Sequence, residues 1–391
     1  MQNEGSIETE PWGGRHRSLP SALRLPAAIR GLLLAFALLI AAQPAGSQDI
    51  TFFRIGAGSA DSTYFAIGGL LANAISNPPG SRACEDGGSC GVPGLIAVAQ
   101  STDGAVYNVE AIGRGELESG LAQADIAYWA FNGFGPFAEK GQIDALTAIA
   151  SLYPESVHIM VRADSDITDI GELRGRKVSL GPVQSGSFVD AQIILEAYGL
   201  GLEDLDVDLL LSGPAIDKLR TGELDAVFLV AGFPVTALVE FAEDFKVRLL
   251  PIEGETAARL ITENPFFSKG FISASVYETT DSIETLNVRA QWVASAALDA
   301  DLVYGITRAL WHQRNRKLLD NAHPDGLRIR LDTALTGLSI PLHPGAERFY
   351  REAGLLRGGD GGETEGGEKL SEEGAAPADT TIDSATDSVK E

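Results

Sequence analysis

The chain reads as an α/β protein, on three observations. Strands alternate with amphipathic helices through about residues 48–356, the pattern of a strand-and-helix layered fold. A unit of strand, small-residue polar loop and helix occurs twice. Both ends of the chain have compositions that build no core.

The ends bound the fold. A basic stretch with Arg15, Arg17, Arg24 and Arg30 precedes an apolar run from Gly31 to Ala42. That run is long enough for a secretory h-region and too short to span a bilayer, and Ala45-Gly-Ser47 offers small residues for cleavage. Residues 1–47 are therefore expected to be a signal peptide, without a lipid-anchoring cysteine, and the mature protein to be periplasmic. Residues 357–391 carry 10 acids against 3 bases and no aromatic residue, so this segment cannot offset its ordering entropy and is expected to be a disordered acidic tail.

Within the body, Ile50–Ile55 reads as a strand running into Gly56-Ala-Gly-Ser-Ala-Asp-Ser-Thr63 and then a helix over Tyr64–Ile75, with Ile67, Leu70, Leu71 and Ala74 at helical spacing. Val106–Arg114 reads as a helix behind Ser101-Thr-Asp-Gly104. The second copy runs from Lys177–Leu180 through Gly181-Pro-Val-Gln-Ser-Gly-Ser187 to a helix over Val189–Tyr198. A further repeated element, a helix ending in Gly, an acid and an apolar strand, is expected at Gly120–Ala127 and at Gly222–Val230. Ser156–Val161 and Asn287–Ala294 read as extended crossings, and Asp301–Leu319 as helical. The organisation expected is lobe 1 from residues 48–158 and 291–356, lobe 2 from residues 159–290, and a ligand cleft between lobes joined by two hinge strands.

Loops rich in Ser and Gly at helix starts present free N–H groups and hydroxyls where the helix dipole adds about half a positive charge. Three of them in a repeated frame point to a cleft for a small anion, against the simpler reading that each only caps its helix. The formal charge of −24 argues against nucleic acid or anionic membrane as partner. A carboxylate solute calls for an arginine, with Arg54, Arg82 and Arg162 as candidates.

Sharper chemistry finds less support. Gly87-Gly-Ser89-Cys-Gly91 matches the nucleophile-elbow pattern, but prolines precede it and Gly-Val-Pro-Gly follows it, where strand and helix are needed. In an exported chain Cys84 and Cys90 instead suggest a disulfide stapling a surface loop. Glu155 and His158 are expected to shape the hinge or cleft, not to act as acid and base. His312, His323 and His343 show no metal-ligand spacing. The loop from Gly56 lacks the third glycine of a dinucleotide fingerprint, and no cofactor or metal is expected. The run Tyr128-Trp-Ala-Phe131 is expected to pack. An exported hydrolase or a secreted interaction protein are the alternatives to a binding protein.

The body resembles the TAXI family of TRAP-associated solute receptors. The likeness is carried by Gly56-Ala-Gly-Ser with Thr63-Tyr64, Gln123-Ala-Asp125, Ser151-Leu-Tyr-Pro-Glu155, Ser185-Gly-Ser187, Asp225–Pro234 and Pro341–Tyr350, in order over roughly residues 50–354. It implies a type II periplasmic-binding-protein fold, no enzyme activity, and delivery of a glutamate-like amino acid or dicarboxylate to a TRAP permease. The family's site regions map onto Ser59, Thr63, Tyr64, Thr102, Asp103, Gly104, Gln123, Asp125, Tyr153, Gln184, Ser185, Gly186 and Ser187. Two stretches depart from the family pattern: Ala60-Asp61-Ser62 replaces a glycine-rich stretch, and Gln-Ser-Gly-Ser replaces the commoner Gly-Ser-Gly-Thr.

Overall fold

The computed structural model describes residues 50–356, all within one compact unit. The signal peptide and acidic tail expected from the sequence lie outside the described residues. The fold is mixed α/β, as expected. Its main sheet has ten strands, with a continuous path β4-β1-β5-β12-β6-β9-β7-β8.

The first part of the chain contributes β1 (Thr51–Gly56), α1 (Thr63–Ile75), a short pair β2 (Ser76–Asn77) and β3 (Val92–Pro93), β4 (Leu95–Gln100), α2 (Ala105–Gly113), β5 (Ser119–Gln123) and α3 (Ala124–Asn132). β1 is parallel to both β4 and β5. Phe53 and Ile55 point inward from β1, and Ile67, Leu71 and Ile75 cover them from α1 at helical spacing. Ser62 starts that helix by accepting from the Phe65 amide at 3.2 Å.

Two long strands tie the molecule together. β6 (Leu146–Arg162) has 17 residues and is buried nearly throughout, as a strand covered on both faces must be. β12 (Ile283–Ser295) lies antiparallel between β5 and β6. Both crossings named from the sequence lie inside these strands. Beyond Ser156, β6 pairs instead with β9 (Ala226–Ala231) and β10 (Val247–Leu249), and β12 continues beside β11 (Ser268–Ile272). The β6–β12 register slips between Arg289 and Gln291, opposite Pro154 and Ser151. Proline cannot donate to a ladder, so an irregularity belongs there.

The second part adds β7 (Lys177–Ser179), α4 (Gly186–Ala197), β8 (Asp206–Asp208), α5 (Ser212–Thr221), α6 (Thr236–Asp244) and α7 (Gly254–Glu263). Alternate residues of β9 face two separate cores: Ala226, Phe228 and Val230 one, Val227 and Ala231 the other. The chain end returns through α8 (Ala300–Leu310), α9 (Gln313–Ala322) and α10 (Pro344–Glu352), whose Val303, Ile306, Leu319 and Tyr350 join the core of β1 and α1. Tyr350 donates to the Ile149 carbonyl at 3.0 Å, fixing α10 on β6.

One repeated element is misread from the sequence. Gly120 and Leu121 are in strand β5, and Asp125 is in the first turn of α3. The helix–Gly–acid–strand counterpart of Gly222–Asp225–β9 is α2 ending near Gly115, then Glu118 and β5. Small residues throughout 120–127 hide the boundary between strand and helix.

Candidate functional site

Where the two parts of the sheet meet, the loops after β1, β4, β7 and β9 converge on a partly open pocket of about 90 Å³. This is small beside the roughly 300–1,000 Å³ of drug-sized sites, so it suits a solute of few heavy atoms. Ser59, Thr63, Tyr64, Asp103, Gly104, Gln123, Ser185, Gly186 and Ser187 line it, as does Glu155 from the middle of β6.

Two helix starts on opposite walls have one design. Ser62 donates to the Ser59 carbonyl at 2.7 Å and accepts from the Phe65 amide; Ser185 donates to the Pro182 carbonyl at 2.7 Å and accepts from the Phe188 amide at 3.2 Å. Capping thus accounts for these two hydroxyls, while Ser59, Thr63 and the first-turn backbone face the cavity. The third loop differs. Gly104 starts α2 at φ 129° with no side-chain cap, and the Tyr107 amide donates across the cleft to the Gln184 carbonyl at 3.2 Å. Thr102 turns inward to Ala57 O and Asn108 Oδ1, both at 2.7 Å. Asn108, fully buried, donates in turn to the carbonyls of Gly56, Ala57 and Leu121 and so locks the ends of β1 and β5 together.

The walls are joined directly. Asp61 accepts from Ser212 Oγ at 3.0 Å and the Gly213 amide at 2.6 Å, taking up the N-terminus of α5. Burial works against its charge, but hydrogen bonds from Ser59, Ser212 and Gly213 hold its carboxyl below the usual range. Thr63 Oγ1 donates to the Gly232 carbonyl at 3.4 Å, and Gln123 Nε2 to Asp190 Oδ2 at 3.3 Å. A Cβ on Gly186 would stand 1.5 Å from Gln123 Oε1, so only glycine permits this approach.

Behind the wall lies a buried acid cluster. Tyr64 donates to Glu155 Oε2 at 2.7 Å. Burial pushes the Glu155 carboxyl well above its normal range, with the Tyr64 bond opposing and the charges of Asp325 and Asp125 adding. Asp125 and Asp190 face each other from α3 and α4; burial raises both, and the charge of Asp125 raises Asp190 further. One oxygen of each, Asp125 Oδ2 and Asp190 Oδ1, has no hydrogen-bond partner. Tyr153 is fully buried near Gly232, without a partner for its hydroxyl. Thr102, Asp125, Tyr153 and Gln184 therefore stand behind the lining; Asp61 and Ser62, inside the first small-residue loop read from the sequence, belong to it, as do Ser179 and Ser212, which escaped sequence reasoning. Asp61 carried a signal, as a departure from the family's glycine-rich loop.

None of the lining residues is Lys, Arg or His. Arg54 pairs with Glu118 at 2.6 Å and Arg162 with Asp164 at 2.7 Å, and Arg82 lies outside the lining. The three arginines put forward for a carboxylate are thus not in the cavity. His158 is buried, bridging Ser156 O at 2.9 Å and the Tyr277 hydroxyl at 3.1 Å, and burial lowers it to about 4. His312, His323 and His343 each accept a backbone amide at a helix start. Tyr128 packs on Phe266 with ring centroids 4.9 Å apart.

Cys84 and Cys90 form a disulfide, as expected. Arg314 holds the loop by bonds to the Cys84 and Glu85 carbonyls. Ser89 bonds to Ser76 O and the Gly91 amide within a run of turns, with no strand leading into it and no helix leaving it. That is not a nucleophile elbow.

Among solved structures, the chain is similar to the alkanesulfonate-binding protein SsuA from Xanthomonas axonopodis pv. citri bound to MOPS, at 14% identity over 78% of this chain and 84% of that one, TM-score 0.40. It is also similar to an ancestral arginine-binding protein bound to arginine, at 15% identity over 69% and 97%, TM-score 0.41. The periplasmic aliphatic sulphonate binding protein SsuA from Escherichia coli matches at 13% identity over 78% and 94%, TM-score 0.36. These TM-scores are low, and the fold described above rests on its strand order and not on these neighbours. The sequence model of the NMT1-like family matches residues 55–354, and the chain belongs to that family.

Proposed function

We propose that this protein is an extracytoplasmic solute receptor, not an enzyme, that closes two lobes over a small carboxylate-bearing solute and delivers it to a TRAP membrane permease. The observation that carries the reading is the pocket at the meeting of the two sheet regions, walled by two serine-capped helix starts and crossed by hydrogen bonds between its walls. A site that buries its ligand between rigid elements and fixed donors is built to hold and release. The secretory features of residues 1–47 support an exported, periplasmic receptor. Among the described residues no helix is long and apolar enough to cross a membrane. The resemblance to TAXI receptors supports the permease type and a solute that is a glutamate-like amino acid or a dicarboxylate.

In this reading Ser59, Thr63, Tyr64, Asp103, Gly104, Gln123 and Ser185 to Ser187 contact the solute. Thr102, Asp125, Tyr153 and Gln184 hold the wall from behind. The test is native mass spectrometry of purified protein for a co-purified solute, followed by a thermal-shift screen of amino acids, keto acids and dicarboxylates. A solute at about 100 times its Kd stabilises a receptor by about 2.7 kcal/mol. If no solute co-purifies and none in the screen shifts the melt, the receptor reading fails.

A further inference from the structure

Resting on the receptor reading, we infer that the solute is a small zwitterionic amino acid with an apolar side chain. Glu155 holds its ammonium group, and the two serine-capped helix starts face its single carboxylate. This departs from both solutes named above, because glutamate, like a dicarboxylate, brings a second carboxylate.

Charge in the cavity carries the argument. The carboxyl groups in the lining are Asp61, Asp103 and Glu155, and no basic side chain joins them. Four helix starts reach the wall, those of α1, α2, α4 and α5, each worth about half a positive charge. The start of α5 is already occupied by the Asp61 carboxylate. The start of α2 follows the Asp103 carboxyl and gives its Tyr107 amide to the Gln184 carbonyl, which leaves the starts of α1 and α4 to balance about one negative charge. A second carboxylate on the solute would meet acids instead, in a protein of formal charge −24.

The hinge supplies the complementary group. Tyr64 occupies Oε2 of Glu155 and leaves the other oxygen of a nearly fully buried carboxyl for a solute donor. A missing partner also shows on the facing wall: Ser179, fully buried at the end of β7 beside Val227, has a hydroxyl with no hydrogen bond. An ammonium group carries three donors, and one of them suffices for the free Glu155 oxygen. Burial pushes the Glu155 carboxyl well above its ordinary range, and an arriving ammonium offsets the charge that burial disfavours. The opposite wall, from Leu210, Leu211, Val227, Leu229 and Val235, is apolar. It offers burial to a short hydrocarbon side chain and no partner to a polar one.

The experiment uses matched pairs that differ only by amine against ketone: L-alanine and pyruvate, L-valine and 3-methyl-2-oxobutanoate, L-leucine and 4-methyl-2-oxopentanoate, with L-glutamate and 2-oxoglutarate as the acidic pair. Calorimetry on the wild-type protein is expected to show at least one apolar amino acid binding tenfold or more tighter than its keto partner and tighter than L-glutamate. In Glu155→Gln that preference for the amine is expected to collapse to less than threefold. Since the pairs are read on the wild type, a misfolded variant leaves the test intact. If 2-oxoglutarate, another keto acid or L-glutamate binds most tightly, this inference is overturned and the receptor reading stands. If no member of any pair binds and no solute co-purifies, both fall.

Discussion

The two walls of the cavity differ in kind. The wall built by the loops after β1 and β4, with the hinge residue Glu155, carries every carboxyl in the lining. The wall built by the ends of β7 and β9 and the start of α5 carries hydroxyls, backbone and hydrocarbon. Both halves use the same serine cap at a helix start, so the cap alone gives no specificity. The contrast teaches that closure mates an acid-bearing surface with an uncharged one, and each surface lacks what the other provides.

Crowding the neutral wall should have the largest effect. Gly186→Ala puts a methyl where Gln123 Oε1 already stands, and overpacking costs about 1–3 kcal/mol. Solute affinity is expected to fall tenfold or more, measured by calorimetry, with the circular dichroism spectrum unchanged. An unaltered Kd would mean that the walls do not meet at Gly186 in the bound state.

Changing the charge behind the acid wall should come next. Burial raises Asp325 from 3.8 to about 7, with Arg328 opposing. A carboxyl raised on folding stabilises fully below its unfolded value and loses that contribution as pH rises through about 7. The melting temperature of the solute-free protein should therefore rise on going from pH 8 to 6, by at most about 1.4 kcal/mol per unit below 7. His158 works the other way, because burial lowers it from 6.5 to about 4, so its stabilisation is lost as pH falls through that window. Asp325→Asn should flatten the rise; a slope unchanged in that variant would remove Asp325 as its cause.

Cutting the bond between the walls should matter least. Asp61→Asn keeps one acceptor for Ser212 and Gly213 but loses the charge, and Asp61 is exposed, so the loss should stay below about 1 kcal/mol. A Kd raised two- to threefold, with a larger radius of gyration for the solute-free protein by X-ray scattering, is the expected result. A tenfold loss would promote Asp61 from latch to solute contact.

Much of this was legible in the sequence, for physical reasons. Ile50–Ile55 and Lys177–Leu180 declared themselves as strands because short β-rich runs end in Gly and Ser, and the structure has strands at Thr51–Gly56 and Lys177–Ser179. The helix over Thr63–Ile75 followed from Ile67, Leu71 and Ala74 on one face. The paired cysteines announced their bond. The strand–helix boundary at Gln123 did not show, because Gly, Ala and Leu suit either state. Most of the cavity was also hidden. Asp190, Ser179 and Ser212 look like ordinary helix and strand-end residues, and only the meeting of two distant segments gives them neighbours. Glu155 was expected to shape the hinge or the cleft, and it lines the cavity from the middle of β6.

The antiparallel insertion of β12 between β5 and β6 sets the order in which the molecule can be finished. The central strand of the first half is among the last segments to be synthesised, since it begins at Ile283. Until it arrives, β5 and β6 lack the partner that joins them. Nearly three hundred residues must therefore emerge before that core can close. Such late completion is compatible with the export that the receptor reading proposes, in which the chain is threaded through a membrane before it folds.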